Sequence, residues 1–354
     1  MATTLPPCNL FGVPVGRPGS WKRRVPLMPW KIQGHEELVA PIDHVLQRLE
    51  QFRTKGPDLS KAIGRNSGHL VIVSGLPGTG KTTLIHHCVN DLNLRIDGNR
   101  EGAGAGNAPH IERWHTRHRP ANSFVVFVGK PPRNRGTSGP GRTDGTARIF
   151  KPIRRQVLER LVGKLSQTPE WAKANHDSVL TEDPTDQYHG YDEVQEFLRT
   201  VKRRAMIVIP YVPWASTELS QEFINECNEI ALRGLVVFLE LSQVDLTPLL
   251  DSVLGREPDW MTHLEVGPLK KGDWGTYIRH RLAVPGIPTP VVSVADDVIE
   301  TVPASLPIRN VQDMQQHLYK IAQLARAEHH DRIDMDVLTT YVNRLPPPDY
   351  GRAR

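Results

Sequence analysis

Leu70-Val-Ile-Val-Ser74 runs directly into Gly75-Leu-Pro-Gly-Thr-Gly-Lys-Thr82, and Thr83-Leu-Ile-His-His-Cys88 follows. The first stretch is short, apolar and rich in β-branched residues, which is typical of a buried strand, and the last begins a helical pattern. The middle stretch is a full match to G-x-x-x-x-G-K-[ST], in the strand-to-helix context that this motif requires. The sequence therefore predicts a phosphate-binding loop inside an α/β fold.

The residue types in this loop suit a nucleoside triphosphate. A glycine-rich turn lets successive backbone N–H groups point at the phosphates, and the following helix presents its positive N-terminal end. We expect Lys81 to face solvent in the empty loop and to reach the β- and γ-phosphates of ATP, and the Thr82 hydroxyl to coordinate Mg²⁺. The predicted nucleotide-binding residues of the loop are Gly75, Leu76, Pro77, Gly78, Thr79, Gly80, Lys81, Thr82 and Thr83.

Strand and helix patterns alternate on both sides of the loop. Short apolar runs predict strands at 70–74, 124–128, 206–209, 236–239 and 264–266. Helical patterns occupy 36–52, 82–92, 153–165, 191–203 and 218–231, and after Gly267 they continue at 274–282, 295–302, 311–327 and 334–345 with no strand among them. Alternation of this kind implies parallel strands joined by crossovers. The predicted fold class is a three-layer αβα P-loop NTPase core with a parallel five-stranded sheet, followed by a small all-helical lid domain.

Composition divides the chain further. Residues 1–28 are rich in proline and are predicted to form an extended arm, 29–270 the nucleotide-binding core, 271–345 the lid and 346–354 a tail. Two stretches within the core, about 97–110 and 131–146, hold much glycine and proline and few apolar residues. We expect both to be flexible insertions, because they bury too little apolar surface to offset their ordering entropy.

The positive charge is concentrated in one segment. Residues 111–164 carry 13 Lys and Arg against three Asp and Glu, whereas the whole chain has a net charge of +5. The arginines that stand out are Arg113, Arg117, Arg119, Arg133, Arg135, Arg142, Arg154 and Arg155. This segment is a candidate nucleic-acid interface, since clustered arginines neutralise phosphates. The alternative is a solvated basic surface with a disordered loop.

Other classes of protein are disfavoured. No apolar run approaches the roughly 20 residues that span a bilayer, and the N-terminus lacks the pattern of a secretory signal, so we expect a cytoplasmic protein without membrane contact. Three cysteines without Cys-x-x-Cys spacing exclude a disulfide framework and a four-thiolate zinc site.

The layout over about residues 30–345 resembles the AAA+ ATPases, in particular their initiator-like members and the related STAND ATPases. Ile32-Gln-Gly-His-Glu-Glu-Leu38 is similar to the family's N-terminal motif, in which an apolar residue covers the adenine. The resemblance implies that Ile32 contacts the base and that the chain assembles with copies of itself. A further, unidentified protein partner is compatible with it.

The resemblance also implies roles for three later positions. Ser242 or Gln243, after the fourth strand, falls where the family orients the attacking water. Arg256, ahead of the fifth strand, falls where an arginine finger reaches a neighbour's γ-phosphate, and Arg309, at the start of a lid helix, where a second sensor contacts the phosphates. The alternative for each arginine is an ordinary surface residue.

One departure from the family concerns catalysis. Its third strand ends in Asp-Glu, but here Ala205-Met-Ile-Val-Ile-Pro-Tyr-Val-Pro-Trp214 has no carboxylate. The nearest acids, Glu218 and Glu222, are predicted on the next helix. Glu240, after the fourth strand, is a second candidate for the catalytic carboxylate. The alternative is a strand-end carboxylate paired with a nearby Lys or Arg.

Two functions follow from these observations. The first is an ATP-hydrolysing, AAA+-like switch that oligomerises and acts on nucleic acid. The second is an ATP-bound regulatory or scaffold protein that has lost turnover, so that the nucleotide stabilises the fold. A small-molecule kinase is disfavoured because the long helical C-terminal region is foreign to such enzymes.

Overall fold

The computed structural model describes residues 43–55, 68–76, 79–96, 123–128, 145–174, 188–209, 217–241, 260–267, 271–282, 293–308 and 310–345. Contacts divide the chain into two compact units. The first contains residues 47–76 and 81–266, and the second contains the other described residues, which are 43–46, 79–80 and those from Gly267 onward. The predicted boundaries of arm, core, lid and tail remain predictions.

The first unit contains five strands and six helices within its described ranges. The strands are β1 (His69–Gly75), β2 (Ser123–Phe127), β3 (Arg204–Ile209), β4 (Val236–Glu240) and β5 (Met261–Val266). The helices are α1 (Asp43–Lys55), α2 (Lys81–Ile96), α3 (Gly145–Leu165), α4 (Pro169–Ala174), α5 (His189–Thr200) and α6 (Thr217–Leu232).

All five strands form one parallel sheet in the order β2-β3-β4-β1-β5. The sheet confirms the predicted five-stranded α/β core. Strand β1 lies between β4 and β5, and each of its seven residues is buried, as expected for a central strand covered on both faces. In the register of the sheet, Val73 of β1 lies opposite Glu240 of β4, and Ser74 lies opposite Glu265 of β5.

Alternate residues of the strands face different helices. One face carries Ile72, Ile207 and Leu239, which pack with apolar residues of α3, α5 and α6 in a single buried cluster. The other face is covered by α2, which contacts β1 and β4, and by α1, whose Phe52 ring lies 6.0 Å from that of Phe238. Helix α2 therefore begins at the phosphate-binding loop and packs against the strand that precedes the loop.

Two helices differ from the sequence prediction. Helix α3 begins at Gly145, whereas the pattern predicted residue 153, so the last two residues of the predicted insertion at 131–146 are helical. The short α4 was not predicted at all. Proline and glycine at the start of α3 and the brevity of α4 weaken the periodic apolar pattern on which such predictions depend.

The second unit is mainly helical. It contains α7 (Lys271–Leu282), α8 (Asp296–Ser305), α9 (Val311–Ala327) and α10 (Met335–Asn343), which correspond to the four predicted helices. Their apolar faces share one core that includes Ile278, Val302, Leu318 and Leu338. Two strands of two residues, β6 (Ser293–Val294) and β7 (Arg332–Ile333), add a short parallel ladder that the pattern did not predict.

Side-chain caps explain where two of these helices begin. The Asn310 side chain accepts a hydrogen bond from the backbone N–H of Asp313 at 2.8 Å, and Asp334 accepts from Asp336 and Val337. Such caps satisfy N–H groups that the first helical turn leaves unpaired. Across the described ranges, no helix is both long and apolar enough to cross a membrane.

Candidate nucleotide-binding site

The loop between β1 and α2 adopts backbone conformations that require glycine. Gly75 has φ 142° and Gly80 has φ 102°, values that L side chains rarely adopt. The chain thus leaves β1 through one glycine and enters α2 through another. Leu76, Thr79 and Gly80 are described between them, and Pro77 and Gly78 lie outside the described residues. Thr83 lies in the first turn of α2, as predicted from the motif.

Lys81 is the first residue of α2, and its side chain is buried, with 3% of its surface exposed. Its Nζ atom donates a hydrogen bond to the backbone carbonyl of Leu76 at 2.8 Å and lies 3.9 Å from Oε1 of Glu240. Burial lowers the pKa of Lys81, and the Glu240 carboxylate opposes that shift. The expectation that Lys81 faces solvent is therefore wrong. Its ammonium is held within the loop by a carbonyl and a carboxylate.

Thr82 contacts the same carboxylate. Its hydroxyl donates a hydrogen bond to Oε2 of Glu240 at 2.8 Å. Glu240 is the last residue of β4, and its side chain is 13% exposed. The structure therefore brings Lys81, Thr82 and Glu240 together, although Glu240 is separated from the loop by about 160 residues of sequence. In the alternative interpretation, Glu240 is a strand-end carboxylate paired with a nearby Lys or Arg. Lys81 of the loop is that cation.

These residues fit a nucleotide with its magnesium ion. A lysine at the N-terminus of a long helix supplies positive charge where an anion would bind. The Thr82 hydroxyl and the Glu240 carboxylate are oxygen donors, the type that Mg²⁺ prefers. Within the described ranges, no group of three or more His, Cys, Asp or Glu side chains is placed to hold a metal ion.

Strand β3, where the resemblance implies two acids, contains none between Arg204 and Ile209. Glu218 and Glu222 lie on α6, as predicted, but α6 covers the face of the sheet opposite to α2. Glu240 is in register with Val73. Successive side chains of a strand point to opposite faces of the sheet, and the preceding residue, Leu239, packs in the cluster with α6. Glu240 therefore lies on the face that α2 covers. Glu240 contacts the described part of the loop through Thr82 and Lys81.

A hydrogen-bonded pair beside the loop was not predicted. The Ser74 hydroxyl lies 2.8 Å from Nε2 of His263, and the backbone carbonyl of His263 accepts a hydrogen bond from the Gln51 side chain. Ser74 directly precedes Gly75 and is fully buried. The pair ties β5 and α1 to the strand end from which the loop departs. The only sign of this contact in the sequence was the presence of a serine and a histidine within apolar strands.

Two arginines of the basic segment are committed to ion pairs. Arg154 is buried against Glu226, with Nη1 3.1 and 3.2 Å from the two carboxylate oxygens, and Arg155 contacts Glu159 at 2.9 Å. Arg154 is therefore not available to a phosphate backbone, which corrects its inclusion among the candidate contacts. Its burial follows from its position beside Ile153 and Val157 on the packed face of α3.

The remaining predicted site residues lie outside the described ranges. They are Ile32, Ser242, Gln243, Arg256 and Arg309, and the arginines of the basic segment from Arg113 to Arg142.

No protein-family model matches this sequence, and no curated protein matches it either. Solved structures do match the fold. The ORC2 protein of Aeropyrum pernix aligns with 89% of this chain and 72% of its own at 11% identity, with a TM-score of 0.52. Cdc6p of Pyrobaculum aerophilum aligns with 88% of this chain and 70% of its own at 13% identity, with a TM-score of 0.48. The first likeness shows a shared fold.

Proposed function

We propose, on the premise that this chain has the fold of the AAA+ P-loop ATPases, that it binds ATP with Mg²⁺ and acts as an oligomerising, nucleotide-dependent switch. The observation that carries the proposal is the convergence of Lys81, Thr82 and Glu240 at the loop between β1 and α2. The ORC2 structure of A. pernix was determined in ADPNP and ADP complexes, which supports nucleotide binding by this chain.

The binding step follows from the residues of the loop. Lys81 exchanges its hydrogen bond to the Leu76 carbonyl for the β- and γ-phosphates, and its buried stem keeps the ammonium close to the loop. Backbone N–H groups at the start of α2 would donate to the phosphates, and the N-terminus of this helix adds its positive dipole. Thr82 would hold Mg²⁺, which neutralises phosphate charge when bound. Ile32 is proposed to cover the base.

Turnover would require residues beyond the loop. In an ATPase of this kind Ser242 or Gln243 would orient the attacking water, Arg309 would contact the phosphates, and Arg256 would reach the nucleotide of a neighbouring subunit. The alternative is a nucleotide-bound regulatory or scaffold protein without turnover. Its specific support is the absence of a carboxylate from β3, where phosphoryl transfer to water would need a positioned base.

Assembly and partners are inferred from the same fold. Arg256 is proposed to reach the nucleotide of a neighbouring subunit, so self-association belongs to the switch proposal. We include nucleic acid as a partner through the basic segment 111–164, an unidentified protein partner as a further candidate, and the cytoplasm as the compartment.

Titration calorimetry with ATP and Mg²⁺ tests the proposal. Wild-type protein should bind, and Lys81→Ala should lose binding by at least about 100-fold, since a charge-assisted contact to phosphate is removed. Lys173→Ala, an exposed lysine on α4, is the matched control and should bind as wild type. Wild-type protein that does not bind ATP would sink the proposal.

Light scattering and phosphate release on the same samples separate the two functions. ATP-dependent assembly with turnover that Arg256→Ala abolishes would favour the oligomeric ATPase. Tight binding without turnover would favour the scaffold.

A further inference from the structure

We propose that Glu240, at the end of β4, is the carboxylate that positions the magnesium ion of the bound nucleotide, in place of the acids that β3 lacks. This inference rests on the proposed function, because it concerns the same loop. It assigns the role to a strand adjacent to β1, whereas the resemblance places the carboxylates one strand farther away.

The register of the sheet places Glu240 beside the end of β1, where the phosphate-binding loop begins. It lies opposite Val73, two residues before the first glycine of the loop, and it shares the sheet face that α2 covers. Because β1 and β4 are parallel neighbours, both strands end at the same edge of the sheet. A carboxylate at this position of β4 therefore meets the first turn of α2, where the residues that handle phosphate and metal are found.

The hydrogen bond from Thr82 gives Glu240 a defined task. A threonine hydroxyl has one proton and two lone pairs. Since the proton is donated to Oε2 of Glu240 at 2.8 Å, the lone pairs would be available to a bound ion. Carboxylates that accept hydrogen bonds from metal ligands fix the orientation of those ligands, and their loss weakens metal binding about 10- to 100-fold.

The contact with Lys81 explains why the carboxylate remains in place. Oε1 of Glu240 lies 3.9 Å from the Lys81 ammonium, so the two oxygens of one carboxylate serve the two loop residues separately. When Lys81 turns to the phosphates, Oε2 stays with Thr82. If Glu240 had only a structural role, its carboxylate would neutralise the Lys81 ammonium and would not affect metal binding.

The two roles predict different effects of Mg²⁺ on the ATP affinity of a Glu240→Gln variant. If Glu240 positions the ion, Glu240→Gln should leave ATP affinity in EDTA unchanged or increase it, since one negative charge near the phosphates is removed. The gain in affinity that Mg²⁺ gives the wild type should shrink about 10-fold or more. If Glu240 only neutralises Lys81, ATP affinity should change by the same factor with and without metal.

Mn²⁺ provides a direct readout that does not depend on turnover. Electron paramagnetic resonance titrations of Mn²⁺ into the ATP-loaded protein should show about 10- to 100-fold weaker binding for Glu240→Gln. Thr82→Val should also weaken Mn²⁺ binding, and the double variant should be no weaker than the more impaired single variant, because Glu240 acts on the ion through its hydrogen bond with Thr82. Additive losses, or unchanged Mn²⁺ affinity in Glu240→Gln, would overturn the inference.

Glu265→Gln is the matched control. Glu265 lies on β5, the other neighbour of β1, at the next register position and on the opposite face, and it is exposed. Its Mn²⁺ and ATP affinities should equal those of the wild type. If Glu240→Gln fails to fold, Glu240→Asp keeps the charge but withdraws it from Thr82, and it should show the same selective loss of Mn²⁺ affinity.

Failure of the inference is distinguishable from failure of the proposed function. Wild-type protein that binds ATP in neither EDTA nor Mg²⁺ would overturn the function itself. Wild-type protein that binds ATP, beside a Glu240→Gln variant with unaltered metal dependence, would overturn only the role of Glu240.

Discussion

The Nε2 atom of His69 lies 2.8 Å from the hydroxyl of Thr262, and both side chains are buried where β1 pairs with β5. Burial lowers the pKa of His69 to about 4, because the low-polarity interior disfavours the imidazolium. The folded protein therefore keeps this imidazole neutral at mildly acidic pH. A histidine in the unfolded chain has a pKa near 6.5.

The difference between the pKa of His69 in the folded and unfolded states makes the stability of the first unit depend on pH. Above pH 6.5 neither state binds the proton, and the full stability is present. As the pH falls from 6.5 to about 4, the unfolded chain gains a proton that the folded protein refuses, so the free energy of unfolding decreases. Below pH 4 both states are protonated and the contribution is constant. The total loss is about 3 kcal/mol, from about 1.4 kcal/mol for each pH unit.

Urea unfolding at pH 7 and pH 5 measures this contribution. Between these values the wild type should lose about 2 kcal/mol through His69, and His69→Gln, which can still contact Thr262, should lack that part of the loss. His330→Gln, at an exposed histidine of the second unit, serves as the control and should keep the wild-type response. An identical pH response in His69→Gln would contradict the assignment.

Adjacent arginines on α3 are predicted to differ in their effect on stability. Arg154 is buried, it bonds both oxygens of Glu226, and the Tyr188 hydroxyl donates to the same carboxylate. Arg154→Ala leaves that carboxylate without its cation and should cost about 3 kcal/mol. Arg155→Ala should cost less than about 0.5 kcal/mol, since its side chain is 61% exposed and its partner Glu159 is also solvated.

Urea unfolding of the two single variants tests this pair. Arg154→Ala/Glu226→Gln should be more stable than Arg154→Ala alone, because the uncompensated charge is removed. Equal losses in Arg154→Ala and Arg155→Ala would show that the Glu226 contact does not stabilise the unit.

The core fold was predictable because its signals are local. Short β-branched runs and a loop motif with two required glycines identify β1, α2 and the alternation around them. All five strands and the longer helices appear where these signals lie. Helix α4 was missed because six residues carry too little periodicity.

The partners of the loop were not predictable in the same way. The sequence identified Glu240 as a candidate but not its contact with Thr82, because that contact depends on the order of strands in the sheet and on which face Glu240 occupies. The buried state of Lys81 and Arg154 was missed for a similar reason. A charged residue is expected at the surface unless its partner is known, and both partners are distant in sequence.

Nucleic-acid binding through the basic segment is predicted to be salt-dependent. Neutralising Arg133, Arg135 and Arg142 together should weaken binding to duplex DNA. The slope of log affinity against log salt should fall by up to about three, or about one for each phosphate that an arginine no longer neutralises. Fluorescence anisotropy at several salt concentrations measures both quantities. Lys173→Ala, at an exposed lysine on α4 outside the basic segment, is the control. An unaltered slope in the triple variant would remove nucleic acid from the proposal.

Lys81 should contribute to the stability of the nucleotide-free protein as well as to binding. Its ammonium is buried between the Leu76 carbonyl and Glu240, so Lys81→Met leaves a carboxylate that is 13% exposed without its cation. We expect the free energy of unfolding to fall by about 1–3 kcal/mol, which is less than the total stability of a typical domain, so the variant should still fold. Lys81→Met/Glu240→Gln should recover part of that loss, because the unpaired charge is gone, while ATP binding stays absent. Urea unfolding without nucleotide, beside calorimetry with ATP, separates the two effects. If the double variant were less stable than Lys81→Met, the interaction between Lys81 and Glu240 would not be the source of the loss.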